Sequence, residues 1–198
     1  MFNEFSAIRQ LLKILAIHIL LVISWFVLVD LIFELRNFES SVERGFKNSL
    51  VSYVLFALVI GPLWEEFVFR WPLVRKKKIW GAVLLGIVFL LSFKFLILKI
   101  LTVIYIVFLC LHRIKENYIL KYITIGMSIL VFGLMHIENY SFNDVEAMNI
   151  FEFFSTFFSQ LFLGALLTYI RLRFSFLYGV IYHMVFNGIL LCLGLILI

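Results

Sequence analysis

Apolar runs too long for an ordinary soluble helix, separated by short charged clusters, dominate this sequence. Crossing a bilayer core of about 30 Å takes roughly 20 apolar residues in a helix. Runs on that scale recur at 13–33, 48–74, 79–111, 118–137, 150–170 and from 174 onward. Hydrophobic residues make up 64% of the chain and charged residues 15%, against about 45–50% and about 25% in soluble domains. The expected fold is all-α: a polytopic transmembrane helix bundle of about six to seven spans, forming one membrane domain over 1–198.

The net charge of +5 does not point to nucleic acid, because the basic residues sit in clusters between apolar runs, as cytoplasmic loops do. The expected surroundings are a lipid bilayer, as an integral protein of a bacterial cytoplasmic membrane. Cys110 and Cys192 lie in apolar stretches and read as small packing residues, with no disulfide or metal spacing. The first run lacks a small-residue cleavage site after it, so it is expected to stay as a span. The stretch 79–111 is broken only by Lys94 and Lys99. At 1.5 Å per residue it spans about 50 Å, too long for one upright crossing. It is expected to form a thin helical hairpin that turns near the two lysines. The basic clusters at 75–78, 112–115 and 171–173 then share the cytoplasmic face with the N-terminus.

Ionisable groups at membrane depth mark function. Glu65, Glu66, Arg70, His136 and His183 are such groups, with Asn187 as a polar neighbour. Measured from the basic anchors, Glu65 and His183 lie about 15 Å deep and Asn187 and His136 about 21–22 Å. Three helices therefore bring polar groups to a similar layer. Glu66 and Arg70 are one turn apart and can pair. Glu65 points about 100° around the helix and has no local partner. His183 and Asn187 share a face, as do Phe132 and His136. Pro62 is expected to break or kink the helix just ahead of the carboxylates. His18, without polar company, and His112, in a basic loop, read as ordinary packing and loop residues.

Three motifs carry a resemblance: Glu65-Glu66-Phe67-Val68-Phe69-Arg70, then Phe132-Gly133-Leu134-Met135-His136, then His183-Met184-Val185-Phe186-Asn187. Their order and spacing resemble E-E-x-x-x-R, F-x-x-x-H and H-x-x-x-N of the CAAX protease and bacteriocin-processing family (CPBP, also called Abi). That family includes the type II CAAX prenyl endopeptidases. The resemblance covers about 50–198. The stretch between Arg70 and His136 is longer than the family pattern, and the 79–111 hairpin accounts for the excess. An even number of added crossings leaves the motif helices in the same orientation. Trp71 stands where many members have glycine.

The resemblance implies intramembrane hydrolysis of a membrane-bound or prenylated peptide. Glu65 would act as general base on a water that His136 helps to hold. His183 and Asn187 would donate to the oxyanion, and Glu66 and Arg70 would brace the helix. This route needs no cofactor. A zinc held by Glu65, His136 and His183 is the alternative, although the chain lacks H-E-x-x-H. A non-catalytic scaffold or bacteriocin-immunity protein of the same fold is a second class. A proton-coupled transporter is a third, weakened by the lack of an inverted repeat.

The charge pattern predicts a cytoplasmic N-terminus, an external C-terminus and a double crossing by 79–111. A cysteine replacing Lys94 should react with an impermeant reagent applied from outside. Labelling from the cytoplasmic side alone would exclude the double crossing.

Overall fold

Lipid offers no partner for backbone N–H and C=O groups, so a spanning chain this apolar must satisfy them within helices. In the computed structural model, which describes residues 4–33, 49–74, 79–115 and 117–197, every regular element is helical. The elements are α1 (Glu4–Phe33), α2 (Leu50–Val74), α3 (Ile79–Ser92), α4 (Leu96–Lys115), α5 (Tyr118–Met135), α6 (Phe142–Ala147), α7 (Ile150–Arg173) and α8 (Phe176–Leu197). Among the described residues six helices are long and apolar enough to cross a membrane: α1, α2, α4, α5, α7 and α8. This is the polytopic all-α bundle expected from the sequence. The loop at 34–47 and the basic cluster at 75–78 lie outside the described residues.

The 79–111 stretch divides at Phe93–Phe95, with Lys94 in the break and Lys99 in the first turn of α4. α3 has 14 residues and so measures roughly 21 Å, short of a full bilayer core. It packs on α4, where a Cβ at Gly86 would lie 3.2 Å from Ile106 Cδ1.

α5 is the central helix, with α4 on one side and α7 on the other, while α8 closes against α2 and α7. α1 lies on the outside of α7 and α8. The acidic stretch after His136 is more ordered than its composition suggests. Ser141 and Asp144 form a capping box on α6, and Asn149 and Glu152 form another on α7. Each pair satisfies N–H groups that a helix start otherwise leaves without partners.

Two glycines let α5 and α7 approach closely. A Cβ at Gly133 would collide with Leu161 Cδ2 and lie 3.1 Å from Leu161 Cα. One at Gly164 would lie 2.8 Å from Phe132 Cδ1. Small residues at such crossings are what drive helix association in lipid. Gly133→Ala should therefore overpack the crossing and cost about 1–3 kcal/mol. Thermal unfolding in detergent checks this, and an unchanged midpoint would mean that the helices do not meet there.

Candidate active site

The site begins with two prolines, the only ones in the chain, which bracket Glu65, Glu66 and Arg70. Pro62 lacks an N–H, and the helix ahead of it widens into a π-helical turn over Phe56–Ile60. The Gly61 N–H bonds the Phe56 carbonyl, and the next i,i+5 partner, for the Ala57 carbonyl, would be Pro62. That carbonyl instead accepts from Asn187 Nδ2 at 2.9 Å. The expected break at Pro62 is thus a widened turn, and the helix continues straight into Gly61–Phe69 with right-handed helical backbone at its junctions.

Pro72 does the same at the other end. It cannot donate to the Val68 carbonyl, and the Leu73 N–H bonds Arg70 O in place of Phe69 O. Tyr105 of α4 donates to Val68 O at 3.0 Å, and Ser128 of α5 donates to Phe69 O at 2.8 Å. Arg171 of α7 donates through Nε to Arg70 O at 3.3 Å. The carboxylate-bearing segment is held by four other helices through backbone carbonyls, of which Ala57 O and Val68 O lose a helical donor to a proline.

Between these anchors the charged groups meet. The expected i,i+4 pair forms, with Arg70 Nη1 3.3 Å from Glu66 Oε1 and both side chains wholly buried. Arg70 also donates through Nη2 to Gly164 O at 3.4 Å, and its guanidinium sits 3.8 Å over the centre of the Phe132 ring. His183 lies between the two carboxylates, Nε2 at 3.6 Å from Glu65 and Nδ1 at 3.4 Å from Glu66. Glu65, without a partner on its own helix, finds one across the bundle and keeps 15% side-chain exposure. With His183 protonated, two carboxylates and two cations would cancel, which lowers the cost of burying them.

These contacts are ion pairs without hydrogen-bond alignment. Both Glu66 oxygens, Arg70 Nε and Nη1, and His183 Nδ1 are buried with no directed protein partner among the described residues. Such capacity in an interior is met by water or a bound polar group.

His136 joins the cluster indirectly. It caps the end of α5, and its Nδ1 donates to Phe132 O at 3.0 Å. A neutral ring then has its lone pair on Nε2, where it can accept from a water. His136 and His183 both stand edge-on to the Phe132 ring, with centres 5.3 and 5.8 Å away. Asn187, expected at the oxyanion, is engaged by Ala57 through one hydrogen of Nδ2; the other remains available.

The zinc alternative would draw on Glu65, His136 and His183. Among the described residues no three His, Cys, Asp or Glu side chains converge as a ligand set.

Several partners escape a motif reading. Gly179, one turn before His183, lets α8 approach until a Cβ there would lie 3.3 Å from Glu66 Oε2. Ser128, Phe132 and His136 are spaced by four, a signal that one face of α5 serves the site. His18, read as lacking polar company, is a correction: its Nδ1 lies 3.0 Å from the Tyr182 hydroxyl, and its ring stacks on Phe186 with centres 4.3 Å apart. The tyrosine that engages it sits a hundred residues and more away in sequence, so no local pattern reveals it. His112, read as a loop residue, is a second correction: it lies in the last turn of α4, where its Nδ1 is 3.2 Å from Asn117 O.

A family model for the type II CAAX prenyl endopeptidase Rce1-like proteins matches residues 47–189. The chain belongs to this family. It is thus an integral membrane protein of the CAAX protease class, and the match covers all three motifs while leaving α1 outside. No curated protein and no solved structure matches the chain.

Arg70→Ala should strand Glu66 in a dry site at a cost of about 3–5 kcal/mol. The amount of membrane-inserted protein should fall, and adding Glu66→Gln should recover part of it. Equal amounts of Arg70→Ala and wild type would show that the pair is not desolvated.

Proposed function

We propose that this protein is an intramembrane endopeptidase that hydrolyses a membrane-bound or prenylated peptide with water activated by Glu65. The observation that carries this reading is His183 lying between Glu65 and Glu66, with Arg70 behind them, inside helices long enough to span a bilayer. Glu65 is the partly exposed carboxylate of the pair and the one able to meet water. It takes a proton from a water whose other hydrogen His136 Nε2 accepts. The hydroxide attacks the scissile carbonyl carbon. The oxyanion receives hydrogen bonds from His183 Nε2 and the second Asn187 Nδ2 hydrogen. Glu65 then passes its proton to the amide nitrogen as the C–N bond breaks. Glu66 and Arg70 do not exchange protons; they fix His183 from behind.

For His183 to reach the oxyanion, its Nε2 must turn from Glu65 toward the substrate. Their 3.6 Å separation is well beyond the roughly 2.7–2.9 Å of a charge-assisted hydrogen bond. Little is lost when a substrate atom comes between them. The reaction needs no metal in this scheme.

A scaffold of the same fold is the second reading, favoured by the Asn187–Ala57 bond, which ties helices together without any chemistry. Glu65→Gln separates the two. It preserves size and hydrogen bonding but cannot act as base. Cleavage should fall roughly 100-fold or more with membrane insertion unchanged. The measurement is accumulation of an uncut precursor in cells carrying each variant, normalised to protein level. Full function from Glu65→Gln would remove the endopeptidase and leave the scaffold.

A further inference from the structure

Besides packing along α5 through α4, the α3–α4 pair is clasped to the turn that follows the second-motif helix. In the break between α3 and α4, the Lys94 N–H lies 3.0 Å from both oxygens of the Glu138 carboxylate, and the Phe95 N–H lies 3.0 Å from Oε1. Lys94 Nζ reaches back to Glu138 O at 3.2 Å. Phe95, buried, packs at a tilt against Phe142 from the segment that follows, with ring centres 4.4 Å apart. Glu138 is two residues beyond His136, in the same 3-10 turn, His136–Asn139.

We propose that Glu138 is a positioning residue for His136, and that the α3–α4 insertion is the brace on which it acts. The proposal rests on the endopeptidase reading, in which His136 holds the water. His136 stands at the C-cap of α5, and helix ends fray because their last carbonyls lack intrahelical partners. A group that must hold a water in place needs more than a fraying end. The 3-10 turn alone supplies little, since its hydrogen-bond geometry is poorer than that of an α-helix. Glu138 supplies an outside anchor by capping the start of α4. There the N–H groups point outward and the helix dipole favours a carboxylate. One side chain thus satisfies the insertion's helix start and pins the turn that bears His136. The lysine closes the clasp from the other side.

The test uses full-length protein in nanodiscs and three substitutions: Glu138→Ala, Glu138→Gln and Lys94→Ala. Amide hydrogen exchange over 134–139 is read alongside kcat and KM on a cleaved precursor peptide. Glu138→Ala should speed exchange in that segment and lower kcat roughly 10- to 100-fold, with KM within about twofold. Glu138→Gln keeps an oxygen that can accept both N–H groups and should restore most of kcat. Lys94→Ala should fall between the wild type and Glu138→Ala, because the two N–H bonds survive.

Unchanged exchange in Glu138→Ala would overturn the proposal whatever the activity. So would an unchanged kcat, a loss carried by KM, or a Glu138→Gln protein no better than Glu138→Ala. If wild type and Glu65→Gln cleave nothing differently, the endopeptidase reading fails separately. Exchange then decides alone whether the clasp holds the His136 turn.

Discussion

A backbone carbonyl with no partner costs several kcal/mol in lipid, and both prolines of the chain create such carbonyls, one on each side of the carboxylate-bearing segment. Pro62 frees Ala57 O and Pro72 frees Val68 O, and each is met by a side chain from another helix. This accounts for why α4, α5, α7 and α8 converge on α2. Tyr105, Ser128, Arg171 and Asn187 converge on groups that an uninterrupted helix would have kept for itself. Replacing Pro72 would restore a backbone donor that competes with Tyr105 for Val68 O, and replacing Pro62 one that competes with Asn187 for Ala57 O.

The charged cluster is built inside that frame. A desolvated ion pair is weak support for stability, because the loss of hydration rivals the attraction gained. Glu66 and Arg70 are therefore better understood as a fixed field than as a source of folding energy. Arg70 is spread over three environments: the Glu66 carboxylate, the Gly164 carbonyl and the face of Phe132. Cation–π contact strengthens when water is excluded. The same Phe132 ring also meets both histidines edge-on, as a ring with a negative face and positive edge allows. One aromatic residue thus couples the arginine to the two imidazoles without a hydrogen bond between them.

Much of this was legible in the sequence, for reasons that differ by residue. Helix number and class followed from apolar run length, because lipid imposes that constraint on every span. The Glu66–Arg70 pair followed from i,i+4 spacing, which is local geometry. The approach of Glu65 to His183 was implied by their shared depth, although which histidine would meet which carboxylate was not. Glu65 meets His183 directly, while His136 is linked through Phe132. Asn187 shows the limit of a motif. Its position marked it as important, but its Ala57 contact depends on a π turn that i,i+4 reasoning does not anticipate. His18 and Glu138 were overlooked because their partners come from distant segments, a histidine in an apolar helix and a carboxylate in an acidic loop being unremarkable alone.

The placement of the anchors has a mechanical consequence. The motif turn is secured at the Pro62 end by Asn187 and at the Pro72 end by Tyr105, Ser128 and Arg171. Hydrogen bonds from side chains to backbone carbonyls hold those ends at 2.8–3.3 Å. Between them, Glu65, Glu66, Arg70 and His183 are related by charge at 3.3–3.6 Å, without directional bonds. Aligned hydrogen bonds resist displacement, because their energy falls steeply with angle. Ion pairs at this range are softer, and small shifts cost little. The frame is therefore stiff where it fixes the backbone and yielding where a water or a peptide carbonyl must enter. A site that had closed its charges into short bidentate pairs would have to break them before reacting. Tyr105 and the Lys94–Glu138 contacts put the α3–α4 pair with the stiff part, since it reaches both the first motif and the turn after the second from one side.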